Sequence, residues 1–157
     1  VDLSADLDAS CTPEVLFAHV ADLAGYPNWF GIVHKAVVDP LHLDVAVTPD
    51  DDGSGGGGDA WLVDLRGRLG PMARSKRLRM VRTVYEKPVR VRFERAELDG
   101  RNHSAWVLDA SVAAIDGGAR LTVNLHYGGS FGGALLRRML LDEIEQARPR
   151  LAELVGG

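Results

Sequence analysis

Two side chains in this 157-residue sequence combine reactive chemistry with a position that could turn it inward. Arg82 carries a permanent cation able to anchor a carboxylate or an enolate, and a buried guanidinium is costly unless a counter-charge accompanies it. Tyr127 is a weak acid on a stretch that is otherwise apolar at every second residue. Ser104, Asp109, Asn124 and His126 add further polar groups, and proton transfer needs such a group within about 3 Å of the reacting atom. Strand alternation separates them. If Trp106 and Leu125 point inward, Asp109, Asn124 and His126 point outward, whereas Arg82 shares the parity of Leu78 and Met80. Arg82 and Tyr127 are thus the candidate catalytic groups, although a carboxylate of the chain itself would satisfy Arg82 as well as a ligand would, and Tyr127 also suits a hydrogen-bonded core position.

Other chemistries find little support. His19, His34, His42, His103 and His126 form no His-x-x-x-His pair and join no carboxylate motif, so no metal or other cofactor is expected. No serine sits in a nucleophile-elbow pattern. Cys11, the single cysteine, reads as a small apolar residue at a strand end. The Gly-rich run from Thr48 to Asp59 lacks the Gly-Lys-Ser/Thr ending of a phosphate loop and reads as a mobile hairpin connection. The formal charge of -4 argues against general nucleic-acid binding. Seven cations nevertheless lie between Arg66 and Arg82 with no acid among them: Arg66, Arg68, Arg74, Lys76, Arg77, Arg79 and Arg82. Alternation sends Lys76 to the face opposite Arg77 and Arg79, so a solvated outer face competes with a role in binding an anionic ligand or membrane surface.

The elements that must hold these groups are legible in the pattern. Val1 to Ala9 alternates as a half-buried strand. Thr12-Pro13-Glu14-Val15 starts a helix, with Leu16, Phe17, Val20 and Leu23 as its buried stripe and Gly25 at its end, and Tyr26-Pro27-Asn28-Trp29-Phe30 begins a second short helical turn. Ile32 to Val47 has strand character. Further strands are expected at Ala60 to Arg66, Ser75 to Tyr85, Val89 to Glu97, His103 to Ile115 and Arg120 to Tyr127, joined by short turns that favour antiparallel pairing. The inward residues by parity are Trp61, Val63 and Leu65, then Val89, Val91 and Phe93, then Trp106, Leu108, Ala110 and Val112, then Leu121, Val123, Leu125 and Tyr127. From Ala134 to Val155 a long helix carries Leu136, Leu140, Ile144, Ala147, Leu151 and Val155 on one face, with Pro149 a candidate kink. The fold class is α+β: a curved antiparallel sheet wrapped around one long C-terminal helix, forming a single domain over residues 1–157. A gap between sheet and helix becomes a pocket. With no apolar run of about twenty residues and no signal peptide, a cytoplasmic protein is expected, as a monomer or homodimer.

The Pro13-Glu14-Val15-Leu16-Phe17 helix opening, the Asp22-Leu23-Ala24-Gly25-Tyr26-Pro27-Asn28-Trp29 segment and Gly128-Gly129-Ser130-Phe131 ahead of the terminal helix resemble the START-like (SRPBCC) superfamily, especially its polyketide cyclase/dehydrase-like branch. The resemblance spans essentially the whole chain and implies the helix-grip fold. It also implies an apolar or amphipathic small-molecule partner in a cavity between sheet and helix, with catalysis unassigned. Such a ligand would meet Trp29, Phe30, Trp61, Trp106, Tyr127, Phe131 and Met139, broad aromatic walls with one adaptable thioether. Two alternatives remain open. One is a polyketide aromatase/cyclase in which Arg82 or Tyr127 orients or protonates a poly-carbonyl substrate; the other is a regulatory or anionic-surface module acting through Arg66 to Arg82.

Overall fold

The computed structural model describes residues 1–40, 59–69, 71–130 and 132–156, with Leu69 and Met72 described by backbone only. His42, the end of the stretch from Ile32 to Val47, most of the glycine-rich connection, and Phe131 lie outside the described residues.

The first strand, β1 (Asp2–Ala9), leads into α1 (Pro13–Val20). Thr12 caps that helix by accepting from the Val15 amide at 3.3 Å, and Pro13 occupies the first turn, where no donor is needed. A 3-10 helix follows over Leu23–Asn28, its first turn held by Asp22 accepting from the Ala24 amide at 2.9 Å. The remaining strands are β2 (Val33–Val38), β3 (Ala60–Leu69), β4 (Met72–Glu86), β5 (Arg90–Arg95), β6 (Trp106–Ile115) and β7 (Gly118–Tyr127), and α2 (Gly133–Leu154) closes the chain. All seven described strands form one antiparallel sheet in the order β1-β7-β6-β5-β4-β3-β2. This is the helix-grip arrangement, with two short helices after the first strand.

Period-two alternation decides the faces. Trp61 pairs with Met80 and Val63 with Leu78, while Phe93 pairs with Leu108, Ala110 with Val123, and Val112 with Leu121, so the apolar residues of adjacent strands stack on the face turned to α2. Leu140 and Leu151 of α2 are fully enclosed there, each burial contributing about 1.5–3 kcal/mol. Arg90, Arg92 and Glu94 face outward and pair with one another or with Asp109. α2 continues unbroken through Pro149.

Several boundaries differ from expectation. The turn read over Gly67 to Arg74 is mostly ladder: pairing continues through Gly67↔Arg74 and Arg68↔Ala73 to Leu69↔Met72. Gly67 sits inside β3 because the Met139 thioether lies against it; an added Cβ would come within 3.0 Å of that side chain. Val89, expected inward, is 54% exposed, because its amide donates to the Glu86 carbonyl in the turn before β5 begins. The expected strand start at His103 moves to Trp106, since His103 instead holds Asp99 in the preceding loop at 2.8 Å. Among the described residues no helix is long and apolar enough to cross a membrane.

Candidate functional site

Between the sheet and α2 the side chains leave three largely apolar spaces that share walls. The largest, about 120 Å³, opens beneath the β3–β4 hairpin and the first half of α2, walled by Ile32, Leu65, Trp106, Tyr127, Leu136 and Met139. Ile32, Leu65 and Trp106 also wall an inner space of about 50 Å³ that reaches Phe30 and Leu140. Phe30 and Leu108 then border a third space of about 50 Å³, which lies against the second half of α2 at Ile144 and Leu151 and beside Trp29. A dry cavity of about 150 Å³ holds a benzene ring, so the first chamber accommodates roughly one ring or a short chain before its walls must move. Met139 is the wall best able to move, being unbranched and only partly buried.

The indoles behave differently from one another. Trp29 donates to the His19 carbonyl at 3.3 Å and stacks on Phe30, and Trp61 donates to Asp22 Oδ1 at 3.1 Å while meeting Phe93 edge-on. Trp106 is 8% exposed, stands against the Tyr127 ring, and its buried Nε1 has no hydrogen-bond partner among the described residues. An unsatisfied buried donor costs about 1–3 kcal/mol. The Tyr127 hydroxyl and Ser104 Oγ both crowd Gly129, where an added Cβ would fall on the hydroxyl.

Arg82 is engaged elsewhere. Its side chain is 12% exposed, its Nη2 meets Asp59 at 2.6 Å, and its Nη1 donates at 3.0 Å to the carbonyl of Ala21, the C-cap of α1. The guanidinium also lies 4.0 Å from the Tyr85 ring centroid and 5.5 Å from that of Trp61. A cation at a helix C-terminus satisfies a carbonyl left over by the helix and complements its dipole. Arg82 and Trp61 border none of the three spaces.

The structure therefore brings Trp106, Tyr127 and Met139 together at the first chamber and Trp29 and Phe30 at the third, while Trp61 and Arg82 form a packed wall apart from both. Asp109, Asn124 and His126 lie on the outer face, where Arg90 grips Asp109 at 2.6 and 3.1 Å and His126 Nδ1 meets Asp2 at 2.7 Å. Tyr26 is enclosed, and burial pushes its hydroxyl far above the usual phenol range; it donates to the Val20 carbonyl at 2.8 Å. Burial likewise raises the Cys11 thiol, which disfavours the nucleophilic thiolate. Among the described residues no cluster of three or more His, Cys, Asp or Glu side chains could hold a metal ion.

Sequence reasoning did not single out Ile32 and Leu136 as cavity walls, nor Arg74 and Lys76 as its rim. Leu65 and Leu136 carried the right signal, since strand parity and the helical stripe both turn them inward. Lys76 carried one too, because it pairs with Leu65 and Arg74 pairs with Gly67, placing both cations on the helix-facing side of β4.

A family model described as polyketide cyclase / dehydrase and lipid transport matches residues 1–156. No curated protein matches the chain by sequence. Among solved structures, TTHA0849 from Thermus thermophilus superposes with a TM-score of 0.68 at 18% identity, covering 99% of this chain and 97% of that one. A START superfamily protein from Mycobacterium smegmatis gives 0.67 at 14% identity over 98% and 96% of the two chains. The di-domain ARO/CYC StfQ of the steffimycin biosynthetic pathway gives 0.64 at 11% identity, with 99% of this chain aligned to 50% of that one. At these identities the likeness is one of fold.

Proposed function

The chain belongs to the polyketide cyclase/dehydrase and lipid transport family of the START-like superfamily, and from that premise we propose that it binds an apolar or amphipathic small molecule between the sheet and α2. The supporting observation is the 120 Å³ chamber with apolar walls from Ile32, β3, β6, β7 and α2, beside an inner space that shares Ile32, Leu65 and Trp106 with it. A ligand larger than a ring displaces Met139 or lifts the first half of α2. The test is an amide and methyl NMR titration with 4-phenylbutan-1-ol, a ring-sized apolar body with a neutral end. Shifts concentrated at Ile32, Leu65, Leu136 and Met139, and lost when Leu65→Trp fills the chamber, are expected. Shifts centred on the outer face around Asp109 and Asn124 would overturn the reading.

Ring closure of a poly-carbonyl chain is a second reading, favoured by one observation: Tyr127 borders the chamber beside Trp106. In that reading Tyr127 donates its proton to a substrate carbonyl, and Arg82 reaches substrate only by leaving Asp59 and the Ala21 carbonyl. Tyr127→Phe is then expected to abolish turnover of a poly-carbonyl substrate while leaving the affinity for 4-phenylbutan-1-ol unchanged. Full turnover by that variant would exclude Tyr127 as the acid.

A further inference from the structure

The mouth of the first chamber is as cationic as its walls are apolar. Lys76 stands on the helix-facing side of β4 directly opposite Leu65, and Arg74 stands on the same side opposite Gly67. Arg66 and Arg68 pair with Ser75 and Ala73 and so alternate to the other face of the ladder, and an open cleft bordered by Arg66, Arg68 and Arg74 adjoins the chamber at the sheet edge. Lys76, Arg66 and Arg68 make no ion pair among the described residues, whereas Arg77, Arg79 and Arg82, farther along the same strand, each meet an aspartate. The one described acid bordering chamber or cleft is Glu143. Its carboxylate lies against Gly31 together with the Arg150 guanidinium; a Cβ there would come within 2.8 and 3.1 Å of the two groups. A protein with a net charge of -4 thus concentrates positive charge at one opening, where it attracts anions from solution. Trp106, one of the walls of the same chamber, carries a buried indole N–H that lacks an acceptor among the described residues.

Resting on the reading that the chamber binds a small molecule, we propose that its ligand is an amphipathic anion. Its carboxylate or phosphate end sits at Lys76, its apolar body lies against Leu65, Leu136 and Met139, and a carbonyl or hydroxyl oxygen along that body accepts from Trp106 Nε1. Each part answers one feature of the site: the cation, the dry walls and the donor without a partner. No bond is made or broken.

Three probes of one size separate these parts: 4-phenylbutan-1-ol, 4-phenylbutanoate and 4-oxo-4-phenylbutanoate, titrated by NMR with the Trp106 indole resonance assigned from Trp106→Phe. 4-Phenylbutyl phosphate distinguishes a preference for phosphate from one for carboxylate. The acid is expected to bind about fivefold tighter than the alcohol, the scale of one solvent-exposed ion pair. That advantage falls in high salt and disappears in Lys76→Ala and Lys76→Glu. The oxo-acid alone is expected to shift the Trp106 indole proton downfield, and its margin over 4-phenylbutanoate is lost in Trp106→Phe. Equal affinity of acid and alcohol, or an acid preference that survives Lys76→Glu, overturns the anion site while leaving cavity binding intact. An indole resonance indifferent to the oxo-acid overturns the acceptor. Failure of every probe, the neutral alcohol included, sinks cavity binding itself and this proposal with it.

Discussion

Arg82 and Lys76 occupy the same strand and the same face, yet the fold treats them in opposite ways. Arg82 lies at the end of the sheet covered by α1, where Asp59, the Ala21 carbonyl and the Tyr85 ring surround it. Lys76 lies at the hairpin end, exposed, with a chamber beside it and no carboxylate supplied by the described chain. The contrast teaches that a cation on the inner face of a sheet announces binding only where the chain has not already answered it. At the covered end charge is spent on holding a helix terminus. At the open end Lys76 remains exposed to solvent.

The sharpest way to break this contrast is to alter a glycine at each end. At the covered end, a Cβ on Gly118 would fall on the backbone carbonyl of Ala9, which belongs to β1 and cannot rotate away. Gly118→Ala is expected to destabilise by about 3 kcal/mol or more, read as a lower urea midpoint. Arg82→Met comes next, because it removes two hydrogen bonds and a cation stacked on Tyr85 while Asp59, half exposed, recovers water. The expected loss is about 2–3 kcal/mol. A midpoint equal to that of the parent would mean the covered end does not depend on this cation.

At the open end the same kind of change should be mild. Gly67→Ala meets only the flexible end of Met139, so it is expected to lower stability by about 0.5–1 kcal/mol while narrowing the chamber and weakening 4-phenylbutan-1-ol binding. Equal damage from Gly67→Ala and Gly118→Ala would erase the distinction between the ends. The smallest effect concerns Asp8, paired with Arg120 at 2.7 Å across β1 and β7. The hydrogen bond from Arg120 holds the Asp8 carboxyl below its ordinary value of 3.8, so its stabilisation is complete above that value and is lost as pH falls through the lower folded value. The melting temperatures of the parent and Asp8→Asn should differ slightly at neutral pH and converge in stronger acid.

Much of the frame was legible because strands and helices advertise themselves by period. The alternation through Trp106, Leu108, Ala110 and Val112 and the stripe through Leu136, Leu140, Ala147 and Leu151 identify inward faces whatever the partners are, and those residues are buried. The Thr12-Pro13 helix start was equally plain. The β3–β4 turn was read too wide because Gly67 stands close before the Gly70-Pro71 turn signal, whereas Gly67 makes room for Met139, seventy-two positions later in the chain. Ile144 belongs to the helical stripe but is only partly buried, since it borders the third space instead of filling it.

The site was legible only in pieces. Of the three tryptophans, two find acceptors in His19 and Asp22 and one finds none among the described residues, and for the two on strands only the packing of distant segments separates them. The faces of the strands, the helix that covers them and the place of the cations along β4 could be read from the chain alone, because each follows from local periodicity and side-chain chemistry. Which cation receives a counter-ion, which indole is left without an acceptor, and where sheet and helix part to leave a chamber were decided by tertiary structure, since each depends on groups that meet only when the chain is folded.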